Sequence, residues 1–374
     1  MRVLFWSAAF WPKIGGVEVH AAKLLLALKA RGYEFVVLTT LSDPTQPETD
    51  LYHGIPVCRL PFWSRTSYGD VDVLMRIRQK VAALKRLFTP DLVHINAIDA
   101  GNFFHLLTAH VGHAPVLVTL HGEWPSRHDE IARQILNTAV WVVGCSQAIL
   151  NKGRELAPEI ISRSSVIHNG LEAPTAIPKP LPAVPRLLCL GRLSPEKGFD
   201  LAIKAFAAVI QHFPQARLKI AGDGSARAEL QRQALKEGIE HHVDFLGWVD
   251  NADVASLINA STMVLMPSRR ESLPLVALEA ALMARPVIAT RIGGLPEVVQ
   301  HRMTGLLVES EDPQSLGDAI SFLLRQSALA TEMGNRAKSR ANRLFSWKNH
   351  VDGYDALYRN LATETGIPGS NAIA

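Results

Sequence analysis

Short apolar runs rich in Val, Ile and Leu, most followed by a turn and a stretch of helical period, recur along the chain in two sets. The first set reads RVLFWS, a helical stretch over 17–31, then EFVVLTT, DLVHIN, PVLVTLH, WVVGCS and SVIHNG. Alternation of this kind predicts a parallel sheet sandwiched between helices. Residues 172–185 (EAPTAIPKPLPAVP) then place five prolines in fourteen positions, which predicts a stiff, non-helical connector. The alternation restarts with RLLCLGR, a helix over 201–212, ARLKIAGDG, a helix over 226–236, then VDFLGW, MVLMPS, PVIATR and TGLLVE. A chain of 374 residues is long enough for two separate cores. The reading is therefore two α/β domains, 1–172 and 186–346, with a linker at 173–185. An amphipathic helix at 347–362 is expected to pack back towards the first domain, and the last dozen or so residues to fray.

The balance of 39 basic against 35 acidic side chains, spread along the whole length, is too weak to argue for nucleic acid. Cys58, Cys145 and Cys189 lie far apart in apolar, strand-like runs and read as buried free thiols of a reducing, cytoplasmic compartment. No run of 18 apolar residues is present, so no spanning helix is expected. The opening MRVLFWSAAFW lacks a small-residue cleavage pattern and leads into a Gly-Gly turn, as a first buried strand would.

In open parallel sheets ligands bind at the carboxyl ends of the strands. GRLSPEKG, residues 191–198, sits at such an end, and Gly191 lets a ligand approach. Arg192 and Lys197 stand across the turn, where two fixed cations suit a pyrophosphate and the charge that builds on a departing nucleoside diphosphate. ESLPLVALEAA, residues 271–281, predicts a helix with Pro274 in its first turn and Ser272 or Leu273 as cap. The backbone N–H groups of Leu275 and Val276 would then face an anion at the helix N-terminus. Of the two carboxylates, Glu271 and Glu279, one can accept from ribose hydroxyls while the other reaches a sugar.

GGVEVH, TLHG, IHNG, GRLSPEKG, IAGDG, PSRRESLPLVALEA, IGGLPEV and TGLLV occur in this order and at these separations. Together they resemble the GT4 family of glycosyltransferases over nearly the whole chain. The resemblance implies a GT-B fold, two Rossmann-like α/β/α domains facing each other across a cleft. It implies transfer of a sugar, with retention of configuration, from a UDP-, GDP- or ADP-sugar to a hydroxyl of a glycan, lipid-linked or small-molecule acceptor, as in cell-surface polysaccharide or glycoconjugate biosynthesis. The nucleotide sugar is then a substrate, and neither cofactor nor metal is expected. By position, Arg192 and Lys197 serve the diphosphate, Glu279 the ribose and Glu271 the transferred sugar. The loop of Gly15 and Gly16 closes over the phosphates, and His121 lies near the reacting sugar. Asn169 and Gly170 enter the connection between domains. Gly222 and Gly224 line the nucleotide side, with Val249 beside the base. Many relatives carry an aromatic residue and a glycine where this chain has Leu273 and Pro274, and proline has no N–H to offer a ligand.

Retention through a covalent adduct would need a carboxylate at the anomeric carbon. Glu271, Glu123 and Asp99 are conceivable, and none carries a signature of that role. The family is held to react on one face, the departing phosphate oxygen taking the acceptor proton. Asp70-Val71-Asp72 has a metal-binding D-x-D form but precedes a helix, where capping and the macrodipole account for two acids. Residues 73–88 (VLMRIRQKVAALKRLF) place Leu74, Ile77, Val81, Leu84 and Phe88 on one side and Arg76, Arg78, Lys80, Lys85 and Arg86 mostly elsewhere. Such a helix either rests on an anionic membrane or packs its apolar face on the first sheet. An epimerase or a catalytically inactive nucleotide-sugar binder on the same architecture is the alternative, and the ordered motifs favour transfer. No glycine turn has the G-x-G-x-x-G spacing of a dinucleotide fingerprint.

Overall fold

The computed structural model describes residues 1–12, 15–62, 70–124 and 126–364. Its contacts divide the chain into two units, Met1–His168 with the chain from His350 onward, and Asn169–Asn349. The boundary thus falls at His168/Asn169 rather than after 172.

The first unit is built on eight strands: β1 (Arg2–Ser7), β2 (Glu34–Thr40), β3 (Thr49–Tyr52), β4 (Ile55–Leu60), β5 (Leu92–Asn96), β6 (Val116–Leu120), β7 (Trp141–Gly144) and β8 (Ser164–Val166), in the order β3-β4-β2-β1-β5-β6-β7-β8. All pairs are parallel except β3–β4. The apolar alternation does not reveal this edge hairpin. Its turn is the His53-Gly54 pair, both at positive φ, as a two-residue hairpin turn requires. β1 lies centrally, with Val3, Leu4, Phe5 and Trp6 buried, because a strand flanked by parallel partners must be apolar on both faces.

The helix Val71–Phe88 begins on Asp70, whose carboxylate accepts from the N–H groups of Asp72 and Val73. Capping accounts for the D-x-D acid. Ile77, Val81 and Ala82 are buried and Leu74, Leu84 and Phe88 half-buried, so much of the apolar side packs on the first unit, while Val71, Met75 and Leu87 of the same helix are exposed. Lys85, read as part of the basic face, is also buried. It donates to Thr108 O at 3.0 Å, and burial lowers its pKa to about 8. Arg76, Lys80 and Arg86 remain exposed.

The helix Trp347–Glu364 packs on the first unit. Tyr354 and Tyr358 are buried against β5 and β6, and Arg31 pairs with Asp352 and Asp355 at 2.6 and 2.9 Å. Burying a large apolar side chain contributes about 1.5–3 kcal/mol, and Val351 and Leu361 are buried beside the two tyrosines. The frayed tail expected beyond this helix lies, from residue 365, outside the described residues.

The second unit carries β9 (Arg186–Leu190), β10 (Arg217–Ala221), β11 (Val243–Gly247), β12 (Met263–Met266), β13 (Val287–Thr290) and β14 (Gly305–Val308), all parallel, in the order β11-β10-β9-β12-β13-β14. Leu187, Cys189, Leu218, Ile220, Met263 and Leu265 form its core with Phe199, Ile203 and Phe206 of the helix Phe199–Ile210. The proline-rich segment is strapped to this unit. Asn259 accepts from Lys179 N at 2.8 Å and donates to Ile177 O at 2.7 Å, and the buried guanidinium of Arg285 reaches Lys179 O at 2.9 Å. Backbone carbonyls need donors and backbone N–H groups need acceptors, and for Ile177 and Lys179 the second unit supplies both. Cys145 and Cys189 are buried and Cys58 is half-buried, and none of the three is in a disulfide among the described residues. Among the described residues no helix is long and apolar enough to cross a membrane.

Candidate active site

In the second sheet β9, β10 and β11 follow one another outward, and the chain then returns to place β12 on the other side of β9. The β9/β12 junction is therefore the switch point of the sheet, where the two following loops part and leave a crevice. Gly191 and Arg192 leave β9 there, and residues 267–271 leave β12. Lys197 Nζ donates to Glu271 Oε2 at 2.8 Å, with both side chains largely covered. Ser268 Oγ donates to the same oxygen at 3.1 Å. Thr290, ending β13, donates to Ser268 O at 2.6 Å, and Gly294 N donates to Glu271 O at 3.3 Å. The acid is thus held from three adjacent strand ends. No hydrogen bond among the described residues reaches Glu271 Oε1, which leaves that oxygen to accept from a ligand. Arg192 is exposed and makes no ion pair among the described residues.

Arg269, which the sequence does not distinguish from a ligand-binding cation, is spent on structure. It bonds Asp200 through two nitrogens at 2.8 Å each, Glu311 at 2.5 and 3.1 Å and Pro195 O at 2.7 Å, and Asp200 and Glu311 raise its pKa. It ties the turn carrying Lys197 to the turn carrying Glu271.

Two glycines allow this closeness. A Cβ on Gly198 (φ 66°) would lie 1.9 Å from Pro267 O, and one on Gly222 (φ 129°) would lie 1.9 Å from Gly191 O. Both positions combine a left-handed backbone with contact to another turn, so only hydrogen fits.

The helix Leu275–Leu282 starts one residue later than expected. Pro274 is itself the N-cap, with φ −79° and ψ 105°, and neither Ser272 nor Leu273 caps it. The first intrahelical bonds go from Ala277 and Leu278 to Pro274 O, so the N–H groups of Leu275 and Val276 have no helical acceptor. Glu279 is one turn further in. Burial pushes its carboxyl up to about 7, and no hydrogen bond among the described residues reaches it. Val249 is half-buried just past the end of β11, and Gly247 O accepts from Gly222 N at 2.7 Å. The second unit thus gathers Gly191, Arg192, Lys197, Gly222, Glu271, Leu275, Val276 and Glu279 around one switch point.

Gly15, Gly16 and His121 belong to the first unit. Gly15 is the N-cap of the helix Gly16–Lys29 and accepts from Val19 N at 3.0 Å. The switch point of the first sheet lies between β1 and β5, and Ser7, Asn96 and His121 stand at the ends of β1, β5 and β6. His121 Nε2 meets Asn96 Oδ1 at 2.7 Å. Burial, and then the neighbouring His20, lower the pKa of His121 to about 3, so it is neutral. On the same sheet face His94, buried and lowered to about 3, lies between Tyr358 OH at 2.6 Å and Thr119 Oγ1 at 2.8 Å. His20 stacks edge-on against His350 with centroids 4.4 Å apart. Asn96 and Ser7 were not singled out in the sequence, though a polar residue closing an apolar strand such as DLVHIN is a usable signal. Of the other acids, Asp99 caps the turn Ala100–Asn102, and Glu123 pairs with Lys152. A cavity of about 870 Å³ opens beside β1, β2 and β4, lined among others by Phe10, Leu41, Glu48, Arg76, Ile77 and Lys80.

Two family descriptions match. Residues 179–340 match "Glycosyl transferases group 1" and residues 14–173 match "Glycosyltransferase Family 4". A glycogen synthase of Mycobacterium tuberculosis is 28% identical, over 98% of this chain and 96% of that protein. The structure of sucrose-phosphate synthase from Thermosynechococcus elongatus superposes with a TM-score of 0.83 at 23% identity, covering 97% of this chain and 99% of that one. Anabaena Alr3699/HepE in complex with UDP gives 0.78 at 22% identity, covering 96% and 100%. At these identities the two structures show a shared fold.

Proposed function

The chain belongs to the family 4 glycosyltransferases, and from that membership we propose that it moves a sugar with retention from a nucleoside-diphosphate donor to an acceptor hydroxyl. The observation that carries the reading is the Lys197–Glu271 bond at the β9/β12 switch point, beside the N–H groups of Leu275 and Val276. In this reading the donor diphosphate draws Lys197 to itself, with Arg192 on its other side. Glu271 is then released to accept from hydroxyls of the transferred sugar, and Glu279 accepts from the ribose. The bond from the anomeric carbon to phosphate oxygen breaks while the acceptor oxygen bonds to the same face. The acceptor proton passes to the departing phosphate oxygen. Once Lys197 has turned to the diphosphate, two cations stabilise the charge on the leaving group, and in this reading no metal is called for.

Uridine is the first nucleotide to test, since HepE is described in complex with UDP. The 870 Å³ cavity of the first unit, with apolar walls and Arg76, Lys80 and Glu48 at its edge, is large enough for a glycan or lipid-linked acceptor. We place the enzyme in the cytoplasm, with the exposed Arg76, Lys80 and Arg86 available to an anionic membrane surface. Incubation with UDP-, GDP- and ADP-sugars, read by mass analysis, tests the reading. Free nucleoside diphosphate with a glycosylated acceptor is expected, unaffected by chelator, whereas an isomeric nucleotide sugar would mean epimerisation. Arg192→Ala and Lys197→Ala should each lower transfer about 100-fold or more with the fold intact. Near-normal turnover in either variant would sink the assignment.

A further inference from the structure

His121 stands at the end of a hydrogen-bonded series whose direction is set from the far end. Ser7 Oγ is 2.9 Å from Ala9 O, a carbonyl that can only accept, so the hydroxyl proton points there. Ser7 Oγ must then accept from its other neighbour, Asn96 Nδ2, at 3.4 Å. With the amide nitrogen on Ser7, Asn96 Oδ1 faces His121, and the 2.7 Å contact requires a proton on Nε2. A neutral imidazole protonated on Nε2 carries a lone pair on Nδ1. That atom is buried and has no hydrogen-bond partner among the described residues. Buried polar atoms in folded proteins nearly always have partners, so an acceptor left alone at the carboxyl end of β6 points to a ligand that donates.

We infer that Asn96, oriented by Ser7, is a positioning residue that holds His121 in the Nε2–H tautomer so that Nδ1 accepts a hydroxyl of the substrate. The inference rests on the proposed role of His121 beside the reacting sugar. Pairing of Ser7 with Asn96 across β1–β5, and of Asn96 with Thr119 across β5–β6, puts the three side chains on one sheet face. An amide suits this task better than a carboxylate. A carboxylate at 96 would accept the Nε2 proton equally well but would favour the imidazolium, which loses the Nδ1 lone pair. Among the described residues, the titratable groups coupled electrostatically to His121 are His20 from the helix Gly16–Lys29, His94 from β5 and His350 from the helix Trp347–Glu364. None of these is an acid, so the surroundings also leave the ring uncharged.

Nitrogen-15 NMR of histidine-labelled protein, with His121 assigned by loss of its signals in His121→Gln, reads the tautomer without any substrate. The expected result is a protonated Nε2 and an unprotonated Nδ1 in the wild type, and mixed tautomers in Asn96→Leu. Asn96→Leu should lower kcat about tenfold or more with the donor KM within about twofold. Asn96→Asp should move an acidic limb of the kcat profile towards neutrality, with activity recovering as pH rises. A wild-type His121 protonated on Nδ1 would overturn the inference, as would wild-type kcat and pH profile in both variants. Wild-type kcat in His121→Ala would instead remove the role of His121 itself. Loss in His121→Ala without loss in Asn96→Leu would overturn only the positioning by Asn96.

Discussion

Replacing Glu279 with glutamine should stabilise the protein at the expense of donor binding, and both effects should follow pH. Burial holds this carboxyl at about 7 against an ordinary 4.5. At about 1.4 kcal/mol per pH unit, ionising it in the folded chain costs at most about 3.5 kcal/mol more than in the unfolded chain. Because the folded state holds this proton more tightly, the group's contribution to stability is complete below the unfolded value of 4.5 and is lost as pH rises through about 7. Glu279→Gln has nothing to ionise. It should match the wild type in acid and exceed it by up to about 3.5 kcal/mol above neutrality, measured by urea unfolding across pH. Donor binding runs the other way. A carboxylate accepts from both ribose hydroxyls, so binding favours the ionised form, and wild-type affinity should weaken by up to about tenfold per pH unit below 7. A nucleotide sugar is the better ligand for calorimetry, because its diphosphate does not titrate in this window. Glu279→Gln should bind weakly and without that pH dependence. A stability difference that stays flat with pH, or a wild-type affinity that does, would refute both the buried ionisation and the ribose contact.

Gly222→Ala forces a side chain into the Gly191 carbonyl and a residue into an unfavourable backbone region, which costs about 1–3 kcal/mol for the backbone alone. Unchanged stability together with unchanged donor affinity would contradict the packing of the β9 and β10 turns. Tyr358→Phe leaves His94 Nδ1 buried without its 2.6 Å partner and should destabilise by about 1–3 kcal/mol in chemical denaturation. A neutral substitution would show that the tyrosine hydroxyl is not what holds the C-terminal helix in register. Sedimentation with phosphatidylserine vesicles should show weak binding that disappears at high salt and in an Arg76→Glu, Arg86→Glu double variant, since both arginines of that helix are exposed. Binding that survives high salt would mean that apolar insertion, not charge, is involved.

Much of this site was legible because its parts are local. A glycine and two cations after an apolar strand, or a proline-started helix carrying a carboxylate one turn in, are features of a few consecutive residues, and local rules place them at strand ends. The apolar alternation likewise determined the parallel α/β architecture, because it reports which positions of each element must be covered. It does not report what covers them. Lys197 meets Glu271, 74 residues away, only because β12 lies next to β9, and strand order is a property of the whole sheet. The same holds for Arg269, which composition cannot tell from a ligand cation until Asp200 is seen to hold it. Lys85 reads as a surface charge until Thr108 and His105 are seen to hold it, and the proline-rich segment reads as a free connector until Asn259 and Arg285 bind its carbonyls. Asn96 and Ser7 come from two strands that the chain visits far apart, and their bond to one another and to His121 exists only after β1, β5 and β6 align in register. The sequence by itself therefore determined the elements and the chemistry at their ends. Tertiary structure alone decided the partners, because hydrogen bonds and ion pairs depend on separations of a few ångströms that periodicity along the chain does not encode.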